Sequence, residues 1–218
     1  MYEETRRFTA LDAVFWAAWV ALAVVTAAEY SHLPARVPTH WDVHGRVDGT
    51  MPKGAAAALY IALPVLVYAL MRVLPGFDPL RGNYARFAPS FGLIRAAIGL
   101  VLTVISAAAL AAAAGRPVAM DRVAPVAVGL MLAVIGNVLS RVRPNWFVGI
   151  RTPWTLSDEE VWRRTHRFGG YAFVAAGLVM AGLGLAGSAW ALGGVLVVCA
   201  AAAATVVYSY MVWRSRRA

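Results

Sequence analysis

The sequence predicts an all-α integral membrane protein, a bundle of six transmembrane helices with both termini in the cytoplasm. Three observations predict it. Hydrophobic side chains make up 61% of the chain and charged ones only 14%, at a mean hydropathy of +0.64, too apolar for a soluble domain of this length. The apolar residues fall into six runs, each close to the roughly 20 residues that an α-helix needs to cross a ~30 Å hydrocarbon core. The basic residues then alternate between connections. Counted by segment along the chain, Lys and Arg number 2, 3, 4, 2, 6, 0 and 3, so alternate segments hold 15 and 5. The positive-inside bias places the richer set in the cytoplasm.

The first run, Ala10 to Tyr30, follows a basic flank as a signal peptide would. Its apolar part is too long and no clear cleavage site follows, so it is read as a span. The second is Ala55 to Leu74, which Pro64 is placed to kink. The third is Ala96 to Ala114 and the fourth Val123 to Ser140. Residues 171 to 213 are apolar for about twice the length of one span, so they divide at "GSAWALGG" into Tyr171 to Gly187 and Trp190 to Val212. Gly177, Ala181, Gly182 and Ala186 read as a stripe for close helix packing. Asp12, Glu29 and Arg95 sit near span ends, where snorkelling suffices, which leaves Asn137 as the main deeper polar group. Proton-coupled transporters and intramembrane hydrolases normally place acids, histidines or metal ligands at midplane, and none stands out. The lone Cys199 lies in the sixth span, excludes a disulfide framework and reads as a packing residue. With its basic residues dispersed through short loops, the net charge of +9 is a topology signal and not a nucleic-acid surface.

Two loops are longer than a helix connection requires. The outer one, residues 31 to 54, reads "SHLPARVPTHWDVHGRVDGTMPKG". His40, Asp42 and His44 alternate, so in an extended segment they share a face, and with His32 as a fourth ligand they form a zinc candidate. The alternative is a turn-rich cap shaped by Pro34, Pro38, Gly45 and Gly49, with His40 hydrogen-bonded inside it.

The inner loop carries "RPNWFVGIRTPWTLSDEEVWRRTHRFGG". Ser157 and Glu160 predict a capping box for a short helix from Asp158 to Phe168. That helix pairs Glu159 with Arg163 and Glu160 with Arg164 on a solvated face. Its other stripe, Val161, Trp162, Thr165 and Phe168, would lie on the membrane interface. "NWFVGIRTP" is not accounted for by such a helix. Gly149 permits a positive φ or close approach, Pro153 fixes the chain direction, and Arg151 offers a planar fork of donors. Either Asn145, Arg151 and His166 tie the loop to the helix ends, or the loop is a binding pocket for a lipid headgroup, peptide or protein.

This motif closely resembles the signature of the SdpI family, bacterial multi-span proteins named for immunity to a secreted toxin peptide. Asn145, Gly149, Arg151, Thr152, Pro153, Thr155, Trp162, Thr165 and His166 fall at the spacing of that signature. "LPARVPTHWDVHGRVDGTMPKG", with His40, Gly45, Asp48 and Lys53, resembles the uncharacterised module that often precedes it; His44 departs from that pattern. The resemblance implies two three-span modules, residues 1–114 and 115–218, in the bacterial cytoplasmic membrane. It implies a non-enzymatic protein without cofactor that protects against a membrane-active toxin peptide and, in some members, captures a cytoplasmic repressor. The partners to expect are the bilayer, such a peptide, such a repressor and a second copy of the chain. A small transporter or membrane-embedded, metal-dependent enzyme, with the polar loops as mouths or site, is the alternative. A loose match of Pro38, Trp41, Gly45, Arg46 with Pro144, Trp146, Gly149, Arg151 further suggests an inverted repeat of the two halves.

Overall fold

A computed structural model describes residues 7–217; the first six residues of the amino-terminal flank lie outside them. The chain is a multi-pass helical bundle. Its elements are α1 (Ala10–Glu29), β1 (Arg36–Trp41), β2 (Val47–Pro52), α2 (Lys53–Phe77), a 3-10 helix (Arg81–Phe87), α3 (Ala88–Ala113), α4 (Met120–Leu139), α5 (Pro153–Ser157), α6 (Glu159–Ala186) and α7 (Ser188–Ser215). Six of the helical stretches are long and apolar enough to cross a membrane. The division of the last apolar run falls at Gly187, whose φ of +110° reverses the chain in one residue. Trp190, expected in the turn, is already helical.

The loop between the first two spans is a β-hairpin. β1 and β2 pair antiparallel, and residues 42–46 close the turn. Asp42 Oδ1 accepts from the backbone N–H of His44 (2.8 Å) and Arg46 (2.9 Å). Those bonds, Arg46 first, hold its carboxyl below the usual carboxylate range. Gly45 takes a φ of +75° there. Val37 and Leu33 bury themselves against Leu22, Ala56, Tyr60 and Leu110, and the Tyr60 hydroxyl donates to the Pro38 carbonyl. The hairpin thus caps one end of α1, α2 and α3.

The tightest helix pair is α4 on α6. A Cβ at Gly177 would stand 2.4 Å from the Gly129 carbonyl oxygen, and one at Gly136 would stand 2.8 Å from the Gly170 carbonyl. Ala181 and Gly184 continue this seam, whereas Gly182 has open space around it and Ala186 is exposed. The stripe is therefore Gly170, Gly177, Ala181 and Gly184, and only two members of the expected set belong to it. Backbone-to-backbone contact of this kind is how helices associate in lipid, where no hydrophobic effect drives them together. Gly177→Val should lower stability by about 3 kcal/mol, read as a lower melting temperature in detergent, while Gly182→Val should leave it unchanged; equal melting of both variants would refute the seam.

Three sequence expectations need correction inside the bundle. Asp12 and Arg95 do not snorkel: Asp12 is 0% exposed and Arg95 1%, and they meet at 2.6 Å. Cys199, read as a packing residue, is exposed on the bundle surface, as is Asn137. The halves also pack differently. In the first, α3 contacts both α1 and α2 most closely; in the second, the middle helix α6 is the one clasped by both neighbours. A two-fold rotation requires the same member in each half, so the loop pattern does not extend to an inverted repeat in the packing.

Candidate functional site

The motif loop between α4 and α6 does not carry a separate helix from Asp158 to Phe168. That stretch forms the first turns of α6, capped by Asp158, whose Oδ1 accepts from the N–H groups of Glu160 (2.8 Å) and Val161 (3.1 Å). Ser157 does not cap it, because Pro153–Ser157 folds first into its own turn, α5. The residue before a proline is driven to extended backbone, and Thr152, at φ −112° and ψ 160°, is therefore set to cap α5. Thr152 Oγ1 accepts from the Thr155 N–H (3.2 Å), and Thr155 Oγ1 accepts from the Thr152 N–H (2.8 Å). Arg216 meets Asp158 Oδ2 at 2.9 Å, which with the Val161 N–H holds that carboxyl below its ordinary range. Trp154 donates to Ser209 Oγ (2.6 Å), so α5 is pinned to α7.

Ahead of α5 the chain is knotted around Asn145, which is 0% exposed. Its Oδ1 accepts from the N–H groups of Phe147 (2.9 Å) and Val148 (2.6 Å), and its Nδ2 donates to the carbonyls of Arg143 (2.9 Å) and Val148 (2.8 Å). One amide side chain satisfies four backbone groups that a tight loop would otherwise leave bare. Gly149 follows at φ +117°, with His166 Nε2 where its Cβ would be, 2.3 Å away. The closeness lets the Ile150 N–H donate to His166 Nε2 (3.0 Å). Nε2 is then the acceptor nitrogen, so Nδ1 carries the proton and donates to the Trp162 carbonyl (2.8 Å). The imidazole is held neutral in one tautomer. Trp162 stacks on it with ring centroids 3.9 Å apart and donates from Nε1 to the Val142 carbonyl (2.8 Å). Val161, Trp162 and Thr165 face the bundle, not the membrane interface, and are buried.

Sequence reasoning missed the other wall of this site. "PGFDPLRGNYARFAPS" reads as a basic anchor, yet Asp78 is 1% exposed. Its carboxylate accepts from the Leu80 N–H (2.7 Å), the Tyr84 hydroxyl (2.9 Å) and the Trp146 N–H (2.8 Å). Tyr84 reaches Asn145 Oδ1 (3.3 Å), and Asn83 Nδ2 donates to the Pro144 carbonyl (2.8 Å). The one available signal was an Asp two residues before Leu80 across a proline, a common way to start a turn. Nothing in the sequence says what its second oxygen meets.

Arg151 is different. It is exposed and donates from one terminal nitrogen to the Trp146 carbonyl, which ties the two ends of the loop. Its other donors make no hydrogen bond among the described residues. Beside it Trp146 is 55% exposed and Leu156 44%. A rigid base thus carries a cationic and aromatic lip.

The hairpin residues do not join this site. His40 Nδ1 meets Asp48 at 2.5 Å across the strands, Lys53 begins α2 with its ammonium over the Tyr30 ring, and Gly45 lies against Asp121. His40, Asp42 and His44 do not share an extended face, because β1 ends at Trp41 and the turn takes the next residues. His32 is near Ser31 instead. Among the described residues no three His, Cys, Asp or Glu side chains gather to hold a metal ion.

Comparison with known proteins bears directly on the knotted loop. Residues 141–209 match the SdpI/YfhL protein family. That region resembles the SdpI family. Residues 17–66 match a domain of unknown function, DUF1648, which takes in most of α1, the hairpin and the first half of α2. The chain is also 27% identical over 153 residues to the immunity protein SdpI of Bacillus subtilis (strain 168), a match covering 70% of each chain. No solved structure matches. The SdpI match begins at Arg141 and so holds every residue of the Asn145 knot and the His166 clasp, but not Asp78 or Tyr84.

Proposed function

We propose that this SdpI-like membrane protein protects a bacterial cell from a membrane-active peptide, and that residues 143–157 form the element that engages a partner. The observation that supports it is the division within the loop. Asn145, Thr155, Trp162 and His166 are buried and satisfied, whereas Arg151 and Trp146 are presented outward. A loop that only joined two helices would not need a base this rigid; a recognition element does. The name of the Bacillus relative, an immunity protein, supplies the class of function.

The chain sits in the cytoplasmic membrane with the motif loop and both termini inside and the hairpin outside. This rests on the 15 to 5 division of basic residues and on the hairpin capping the helix ends opposite to the loop. Arg36→Cys, Val118→Cys and Glu159→Cys, made singly with Cys199→Ala, test it with an impermeant thiol reagent on intact cells. The first two should label and the third should not; labelling at 159 inverts the topology.

Partner engagement is tested by challenging cells with a secreted toxin peptide. Arg151→Ala should lose at least tenfold in protection while the protein stays folded and inserted. Arg151→Lys keeps the charge but not the planar fork, and should recover less than half of it. Full protection by Arg151→Ala at normal expression would reduce the lip to a membrane-surface anchor.

A further inference from the structure

The exposed side of α6, turned away from the knotted loop, carries a cluster that the proposed function leaves unused. Arg163, Arg164 and Arg167 stand at i, i+1 and i+4, all exposed, and with Phe168, Tyr171 and Tyr208 of α7 they line a cleft of about 510 Å³. Phe168 and Tyr208 stack across it, centroids 4.4 Å apart and planes 20° from parallel. Tyr171 is 70% exposed at its lower edge.

The charge in the cleft is unbalanced. Glu160 holds Arg163 through two bonds (2.7 and 2.6 Å) and Arg164 through one (3.0 Å); Glu159, expected to pair with Arg163, does not. Arg167 makes no ion pair or hydrogen bond among the described residues. One carboxylate therefore serves two of the three guanidiniums, and Arg167 is left without a carboxylate partner among the described residues.

Depth identifies what compensates them. From residue 172 to 213 the chain holds no Asp, Glu, Lys, Arg or His, so Tyr171 marks the edge of the charge-free stretch on α6 and Trp213 on α7, where Trp154, Tyr210 and Trp213 cluster. Tyr and Trp collect at that level. At a rise of 1.5 Å per residue, Arg167 lies about 6 Å and Arg163 about 12 Å beyond Tyr171 along α6, which is the layer of lipid phosphates. The aromatic floor and basic wall are the two halves of a phospholipid headgroup seat.

We infer that Arg163, Arg164 and Arg167, over the Phe168–Tyr208 stack, bind the phosphate of an anionic glycerophospholipid of the same leaflet. Guanidinium forks bind phosphodiester oxygens in pairs, and the stacked rings receive the glycerol backbone. Glu160 limits the affinity by occupying two of the three forks.

Full-length protein in detergent, stripped of lipid, tests this by native mass spectrometry with phosphatidylglycerol and phosphatidylcholine. Phosphatidylglycerol should bind at least tenfold more tightly. Each arginine removed should weaken it about fivefold, the worth of one basic side chain near the surface, so Arg163→Gln with Arg167→Gln loses at least tenfold. Arg167→Gln alone, at a side chain with no protein partner, reports without risk to the fold. Glu160→Gln should tighten binding several-fold. Arg81→Gln with Arg86→Gln removes the same charge from an exposed connection at the same end, and should change binding by less than twofold. Equal binding of the two lipids, wild-type binding by the Arg163 and Arg167 variant, or equal loss in the Arg81 and Arg86 control would overturn the site. Glycerol phosphate or polyglutamate competing as well as the lipid would overturn it too, in favour of a soluble phosphate compound or an acidic protein.

Discussion

Gly149→Ala should be a severely damaging single-methyl change: the knotted loop opens, and the proposed protection against a toxin peptide falls to that of cells lacking the gene. Two independent costs meet at this position. A φ of +117° lies outside the region that L side chains adopt readily, which costs about 1–3 kcal/mol. The added Cβ would also stand 2.3 Å from His166 Nε2 and 3.3 Å from the Trp162 ring. Neither ring can retreat without giving up a hydrogen bond, because each is buried and each donates to a carbonyl in the segment or helix behind it. The imidazole must turn away, and the half-buried Ile150 N–H then loses its acceptor, a further cost of about 1 kcal/mol. Gly115→Ala supplies the comparison. It shares the positive φ, +78°, but has nothing within 4 Å, so it should cost about 1 kcal/mol and leave protection intact. Limited proteolysis within residues 143–157 separates them: rapid cleavage for Gly149→Ala, wild-type resistance for Gly115→Ala. If Gly149→Ala resists cleavage and protects, the His166 clasp is not what holds the loop.

Six membrane-length helices and their order were legible because they rest on a one-dimensional property, the length of an apolar run, and "NWFVGIRTP" stood out by unusual residues at fixed spacing. What was not legible depends on partners distant in sequence. Asp78 and Tyr84 lie more than 60 residues from Asn145, and an Asp in a basic loop looks like any solvated acid until its second oxygen meets the Trp146 N–H. The α6 start was misread for a local reason. Ser157 and Glu160 fit a capping box as well as Asp158 fits a simple cap, and the choice was made by Thr152 and Pro153 committing the preceding turn. The hairpin was concealed by Pro34, Pro38, Gly45 and Gly49, which read as a turn-rich cap, and Val37, at 0% exposure, with Trp41 beside it, fixes the strand against the bundle. Asp12 and Arg95 looked like snorkelling residues because each is near a span end; that they lie at the same end, on helices that touch, is a fact about packing.

That buried pair carries the second large effect, and it is expected in stability instead of recognition. Asp12 accepts from Arg95 (2.6 Å), Arg72 (3.1 Å) and the Thr9 hydroxyl (2.6 Å), and the Tyr68 hydroxyl also donates to it. One carboxylate therefore joins α1, α2 and α3. Phe15 lies flat on Tyr68, centroids 3.8 Å apart, and Arg95 approaches the Tyr68 ring at 5.1 Å, so the charges are enclosed by aromatic surface. In such surroundings the net worth of the pair against an apolar replacement is small, because desolvation offsets most of the attraction. Removing one member is expensive, about 3–5 kcal/mol, since the remaining charge keeps its desolvation and loses its main compensation. Asp12→Leu should accordingly lower the melting temperature in detergent by roughly 10 °C, and Arg95→Leu by a similar amount. Asp12→Leu with Arg95→Leu should lose clearly less than the sum of the two, because the buried charge left by each single variant is absent and Arg72, at 28% side-chain exposure, is near enough to solvent to turn outward. The alternative is that Asp12 matters chiefly as the partner of the Thr9 cap, with N–H and hydroxyl bonds at 2.7 and 2.6 Å. Asp12→Asn decides between them, since an amide oxygen can still accept at Thr9 but carries no charge for the arginines. A loss with Asn close to that with Leu places the stability in the ion cluster; near wild-type melting with Asn, or strict additivity in the double variant, would move it to the helix cap.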